Sequence, residues 1–539
     1  MRLGGVEGVV LDITIDRLTA FQKRTGTGPR RQRAVARACL LSLALLLGSH
    51  TVWAQAMYRI KPMGNLGGCL YSAPTVLSFN KADQATGWAC KPNYDTHAFL
   101  FKNDGHPMVD LGPPKAGTTS TGYAINSSGL VAGTAEDDTG QYGFISSGGA
   151  MTKIPNGFGG TGTAAYALND KGWVTGEAGN APPVDWSTDA FIWKNDGSPM
   201  MDIGGAKGAY NPQTYGSAIN ATGQVAGNQW DGDRSDYLFM WMNDGSPTQY
   251  LGNAGLTGGN CCINSSGQVA GHLSISGYAH PQSFIWRNDG TGLHILGALP
   301  GHDLTETAAQ NESGQLAGTS WVAYFEKSRA FFWKNDGSPM KNLGTLGGTN
   351  SQGRDINASG QIVGWADIAG DSGHAFLWRN NGTKMQDLNT LIDPTDPLKS
   401  YVTLTDAQFI NDLGDIVAEG TDSRTGNPNI YLLQGTVLTL NPRSLAFGSV
   451  KLGVTSAAKS VTVTNTSAKS VAITSVAIIG TNANQFAATN NCGTSLAAHA
   501  TCAIKATFRP TSKGAKSANL NVNGGGGGLR TVSLTGTGS

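Results

Sequence analysis

The sequence predicts an all-β protein, a β-propeller of about eight four-stranded blades followed by an immunoglobulin-like β-sandwich. Three observations carry that expectation. Two phrases recur along residues 57–436, one typified by DINASGQIVG and the other by RAFFWKNDGSPMKNLG. The composition, with 75 Gly and 14% charged residues in 539, lacks long apolar-periodic helical stretches. From about residue 437 the repeats stop and period-two alternation begins, as in Val461, Val463 and Val471, Ile473.

The first phrase is anchored by Asn80, Asn126, Asn169, Asn220, Asn264, Asn311, Asn357 and Asn411, spaced by 46, 43, 51, 44, 47, 46 and 54 residues. Eight copies at that period define a repeat architecture, with seven to nine blades as the range of the count. Each copy parses into four short strands. The first carries A-I-N, and N-x-S-G is a tight turn in which Asn bonds its own backbone and Gly supplies a positive φ. The first copy places Asp83 where the others have Gly. The second strand is Q-V-A-G. The third is apolar throughout, as in Ala330-Phe331-Phe332-Trp333, so layers must cover both of its faces. Asn335-Asp336-Gly337 then reverses the chain into a fourth strand.

Four strands per ~45 residues is the period of a propeller blade; an open β-solenoid is the structural rival. The ends favour closure. YRIKPMGNLGG, from Tyr58, matches the fourth-strand text MKNLGTLGG, and the last repeat reaches only its third strand, NIYLLQG from Asn429. Residues 58–64 are therefore expected to pair with the strand around Ile430 to Leu433.

Residues 1–56 read as a signal-peptide region with a long lead-in. Arg30, Arg31, Arg33 and Arg37 precede the apolar run Leu40 to Leu47, and Ala54-Gln55-Ala56 closes it. The run is too short for a permanent membrane anchor. Without these residues the chain has 30 basic and 34 acidic side chains and no basic block, which argues against a nucleic-acid partner.

The I-N-x-x-G-x-V-x-G and H-A-F-L-W phrases, as at Ile356 to Gly364 and His374 to Trp378, resemble the bacterial extracellular HAF-repeat family over residues 57–436. Residues 437–539, with SLAFGSVKLGVTS, NNCGTS and TCAIKATFRPTSKGAKSANL, resemble the choice-of-anchor D domain, an immunoglobulin-like module of the abnormal-spindle and hydin type. These resemblances imply a secreted or cell-surface bacterial protein and bring no activity. The periplasm stays open as a location.

Six cysteines remain in an exported chain, which favours disulfides. Cys492 and Cys502 flank one hairpin. Cys69 and Cys90 lie in two loops of the first repeat, where a bridge would brace the latch. Cys261 and Cys262 are adjacent, as a vicinal disulfide or two free thiols.

Chemistry is sparse. His97 and His374 open the HAF phrase, but the same slot holds Asp189, Tyr237, Gln282 and Arg329 elsewhere, which marks a strand-edge position. The histidines form no metal-ligand cluster, and each N-D-G offers one Asp, too few for a calcium cage. No catalytic residue, metal or cofactor is assigned. Recognition is expected in the long loops on one rim, through Trp186, Trp230, Asp231, Asp233, Trp321 and Tyr324. The resulting expectation is a non-enzymatic scaffold that binds a glycan or protein. Its alternatives are a propeller glycosidase or lyase using paired carboxylates, for which Asp231, Asp233 and Asp236 are candidates, and a purely structural matrix or adhesion protein.

Overall fold

The computed structural model describes residues 58–539 apart from 69–71, 114–116, 182–186, 205–212, 231–235, 256–258, 275–279, 323–325, 395, 436–437, 443, 466–469 and 526–527. The leader expected at residues 1–56 lies outside the described residues. Eight four-stranded meanders follow one another: residues 75–112, 120–153, 159–204, 213–255, 259–295, 304–342, 347–387, and 402–435 completed by Tyr58–Pro62. These are blades 1 to 8 of a β-propeller. First strands of neighbouring blades contact one another around the whole ring, blade 8 to blade 1 included, so they enclose an axial channel.

The repeat text is the text of that ring. In blades 2 to 8, Gly129, Gly172, Gly223, Gly267, Gly314, Gly360 and Gly414 take positive φ in the Asn turn, and Asp83 takes φ 60° in blade 1. Each turn asparagine accepts backbone N–H groups two and four residues on; Asn311 Oδ1 does so from Ser313 and Gln315, each at 3.0–3.1 Å. Its amide then clasps the next blade. Asn80 Nδ2 donates to Asn126 O at 2.8 Å, Asn126 to Asn169, Asn169 to Asn220, Asn220 to Asn264, Asn311 to Asn357, and Asn357 to Asn411. At blade 5 the amide of Asn264 reaches Glu312 O instead, at 3.5 Å. These asparagines are buried.

The glycine of the second strand answers a different need. It lies directly opposite the third-strand aromatic, as Gly318 opposite Phe331 and Gly364 opposite Phe376. A Cβ on Gly318 would stand 2.1 Å from Glu306 O and 2.9 Å from the Phe331 ring. Phe331 and Trp333 face Ala270 and Ile285 of blade 5 and Leu299 just beyond it, while Phe332 faces blade 7 and packs its ring 5.3 Å from that of Trp378. Most blades thus wedge two large side chains toward the predecessor and one toward the successor. The wedge is not uniformly aromatic: blade 2 places Ser146 in the Trp333 slot, and blade 8 places Leu433 there.

Closure uses the amino-terminal strand. Tyr58 pairs with Gly435, Ile60 with Leu433 and Pro62 with Tyr431, and Met63 N donates to Ile430 O at 3.1 Å. Here the clasp changes chemistry, because Asn411 Nδ2 donates to the Asp83 carboxylate at 2.8 Å rather than to a backbone carbonyl. Gln434 Nε2 holds the other Asp83 oxygen at 2.9 Å, and Asp415, fully buried beside it, accepts Gly435 N at 2.7 Å. Burial raises both carboxyls above the usual range, Asp415 the more strongly because the Asp83 charge adds to desolvation. Lys61 and Arg530 are the cations that oppose this effect. A group raised in the folded state stabilises fully below its unfolded pKa, near ~3.9 for Asp, and loses that contribution as pH rises through the folded value. Asp415→Asn should therefore melt above the wild type at about pH 8, with the gap closing toward about pH 4. Parallel melting curves for the two proteins at all pH values would refute the linkage.

The carboxy-terminal residues form a two-sheet sandwich. One sheet orders Leu438–Asn441, Lys459–Asn465, Thr501–Phe508 and Phe486–Asn490; the other orders Ser444–Val450, Gly528–Gly538, Gly514–Gly525, Val471–Ile479 and Ser495–Leu496. The alternating residues Val461, Val463, Ile504, Phe508, Leu520, Val522, Val532 and Leu534 fill its core. Cys492 and Cys502 are joined, with Cα atoms 4.9 Å apart. Cys90 and Cys262 are also disulfide-bonded; Cys69 and the side chain of Cys261 lie outside the described residues.

Candidate functional site

A β-bulge interrupts every first strand, three residues before the clasp asparagine. The extra residue leaves the ladder there, so its side chain is freed from the alternation of the strand. Around the ring this slot holds Leu77, Tyr123, Tyr166, Ser217, Cys261, Ala308, Arg354 and Gln408. Two residues earlier stand Tyr215 in blade 4, Glu306 in blade 6 and Asp406 in blade 8. Opposite that position on the second strand stand Glu177 in blade 3 and Glu419 in blade 8. These slots bring chemistry to the channel.

On blades 7 and 8 they assemble an acid pair with a cation. Asp406 and Glu419 face each other across neighbouring strands, a separation of ~5 Å between Cβ atoms. Arg354 Nη2 lies 3.1 Å from Asp406 Oδ2, and its side chain is 42% exposed, leaving other N–H donors open. Desolvation raises the Asp406 carboxyl against the opposing pull of Arg354. Glu419 is raised by desolvation first and by the Asp406 charge second. The pair therefore binds a proton more readily than exposed carboxylates do. Among the described residues, Asp406 Oδ1, Gln408 Oε1 and both amide atoms of Gln310 are buried without a hydrogen-bond partner. Beside them Asp355 links blades 7 and 8 by accepting Ile410 N at 2.8 Å, and desolvation pushes its carboxyl up to about 7.

Blades 2 to 4 build a different wall. The rings of Tyr123 and Tyr166 meet edge to face at 5.4 Å, and those of Tyr166 and Tyr215 at 5.9 Å. Glu177 accepts the Tyr166 hydroxyl at 2.6 Å and the Thr188 hydroxyl at 2.9 Å. At the channel mouth on the Asn-turn rim lies a cavity of ≈310 Å³, lined by Lys81, Asp170, Glu312 and several clasp asparagines.

The residues expected to form a binding rim are placed otherwise. Trp230 is 37% exposed in blade 4 and Trp321 is half-buried in blade 6, with blade 5 between them. Trp186, Asp231, Asp233 and Tyr324 lie outside the described residues. Asp236 begins the third strand of blade 4, opposite Trp230. His97 and His374 each bond a fourth-strand aspartate, Asp110 at 2.9 Å and Asp387 at 2.8 Å. Among the described residues no group of three or more His, Cys, Asp or Glu is arranged to hold a metal ion, and no helix is long and apolar enough to cross a membrane. Sequence reasoning missed the channel residues. Aligning the eight copies on their asparagines would have exposed them, since Tyr, Arg and Asp stand out in slots flanked by recurring text.

Comparison with protein families matches residues 435–539 to Cep192 domain 4. Neither a HAF-repeat nor a choice-of-anchor D model matches, which corrects both resemblances drawn from the sequence. Comparison with curated proteins returns no match. Among solved structures, a puromycin hydrolase aligns over 67% of this chain and 61% of its own, at 12% identity and a TM-score of 0.41. A puromycin-hydrolyzing peptidase of Mycobacterium tuberculosis aligns over 74% and 65%, at 12% identity and 0.39. A human CEP192 ASH/PapD-like domain aligns over 19% of this chain and 86% of its own, at 16% identity and 0.15. The chain thus spans less than two thirds of either peptidase. The expectation of a non-enzymatic glycan- or protein-binding scaffold is corrected with them: the solved structures that align include peptidases, a likeness that shows the fold alone and assigns no role. Its propeller-glycosidase alternative finds no support there either. The physical reason is placement, because the polar chemistry lies along the axis and the expectation looked to the loops.

Proposed function

We propose that the chain is a hydrolase that cleaves an amide bond of a peptide in the axial channel. The observation that carries this reading is the Asp406–Glu419 pair beside Arg354. An amide needs its leaving nitrogen protonated, and a carboxylic acid raised above its ordinary value, as Glu419 is by desolvation and the Asp406 charge, serves as that donor. In the proposed step Asp406, in its carboxylate form and paired with Arg354, takes a proton from water as the water oxygen bonds to the carbonyl carbon. Arg354 donates to the developing oxyanion. The carbon–nitrogen bond then breaks, and Glu419 delivers its proton to the departing amine. An extracellular or cell-surface site of action is part of the proposal, supported by the leader-like residues 30–56 and the Cys492–Cys502 bridge.

Full-length protein incubated with a mixed peptide library, read by mass spectrometry, should yield discrete cleavage products. Asp406→Asn and Glu419→Gln should each lower kcat by ~10²–10⁴ while the melting temperature holds. On the alkaline side activity should fall as Glu419 loses its proton, at a pH above the ordinary carboxylate range. Full turnover by Asp406→Asn, or an intact library after prolonged incubation with the wild type, would rule the reading out.

A further inference from the structure

The two channel walls are written in the same slots of the repeat. Tyr166 in blade 3 and Arg354 in blade 7 both stand three residues before their clasp asparagines, Asn169 and Asn357. Tyr215 in blade 4 and Asp406 in blade 8 both stand five before theirs, Asn220 and Asn411. Glu177 and Glu419 share the second-strand slot opposite that position. In a ring of eight, blades 3 and 7 are diametrically opposed, and so are blades 4 and 8. Equal slots on opposed blades lie at one depth along the axis. The tyrosine wall therefore looks across the channel at the acid pair.

We infer that Tyr123, Tyr166, Tyr215 and Glu177 form a subsite for an organic cation, the guanidinium or ammonium of an arginine or lysine side chain in the peptide. This rests on the reading of the channel as the hydrolytic site. The chemistry is specific. Three half-buried phenol rings from three consecutive blades touch in series edge to face, a packing that turns ring faces in differing directions. An aromatic face attracts a cation, and a carboxylate at its side adds a charge-assisted hydrogen bond. Glu177 is fixed for that task, because the Tyr166 and Thr188 hydroxyls hold one oxygen each and leave further lone pairs open. A basic side chain would settle on the tyrosine wall and present the adjoining amide to Asp406 and Glu419.

The test is binding without turnover. Full-length Asp406→Asn protein is titrated by calorimetry with Nα-acetyl-arginine amide and with its neutral isostere Nα-acetyl-citrulline amide. The arginine compound should bind at least ~10-fold more tightly. Glu177→Gln, added to the same background, should abolish that preference, and Tyr166→Phe, which keeps the ring, should weaken it only in part. Thermal melts verify that each variant is folded. Equal affinity for the two amides, no binding of either, or a preference that survives Glu177→Gln would overturn the inference. A charge preference in a protein that cleaves no peptide would instead refute the hydrolase reading and leave the subsite standing.

Discussion

An internal deletion of residues 57–66 should lower the melting temperature of the propeller by more than 10 °C, the largest effect expected from any short change in this chain. Tyr58–Pro62 supplies the fourth strand of blade 8, so the deletion exposes the third strand of that blade along its edge. Tyr58 and Ile60 leave the core they share with Leu391, Leu404 and Leu433, and Met63 leaves the neighbouring core of blade 1. Asp396 loses the Ile60 N–H that it accepts at 2.9 Å. An unchanged melting curve would mean that the ring does not depend on its latch, as in an open solenoid.

Trp333→Ala should cost about 3–5 kcal/mol, through lost transfer energy and the cavity left behind. Trp333 is 4% exposed and stands in the cluster with Ile285, Leu299 and Leu316, with the Arg287 guanidinium 5.9 Å from its ring. His374→Ala removes the hydrogen bond to Asp387 and a longer contact with Asn389 at a partly exposed position, for which about 0.5–1.5 kcal/mol is expected. Urea denaturation of the two variants provides the comparison. A Trp333→Ala loss no larger than that of His374→Ala would show that the wedge between blades does not stabilise the ring.

These outcomes separate what could be read from the sequence from what could not. The period, the Asn turn, the N-D-G hairpin and the split blade were legible because each is local: Asn and Gly declare a turn within five residues, and alternation declares a strand. Asn335 at φ 61° and Gly337 at φ 85° are as that text requires. The resemblance to a repeat family drew on the same letters. Asn357 clasps the next blade, Gly360 turns the chain and Gly364 makes room for Phe376, so the matching phrase encodes ring construction and says little of activity. Tyr166, Arg354 and Asp406 were missed for the opposite reason. They occupy bulged or channel-facing slots where the frame imposes no residue type, and singly each looks like noise in a repeat. Their meaning appears only when blades four repeats apart in sequence are set facing each other. Attention to variable loops led toward Trp230 and Trp321, which the fold keeps on separate blades.

The asparagine clasp has a direction, since every donor amide points to the blade that follows in sequence. Such a hoop treats its internal units as interchangeable. Duplicating or losing one whole repeat between blades 2 and 7 would leave donor and acceptor types unchanged at every new junction, so the ring's history can be one of copying in single steps. The junction at Asn411 and Asp83 cannot be copied in that way, because a carboxylate there takes the place of a peptide carbonyl. It marks where the circle begins, and it fixes the junction of blades 8 and 1 as the one part of the ring that duplication must leave alone.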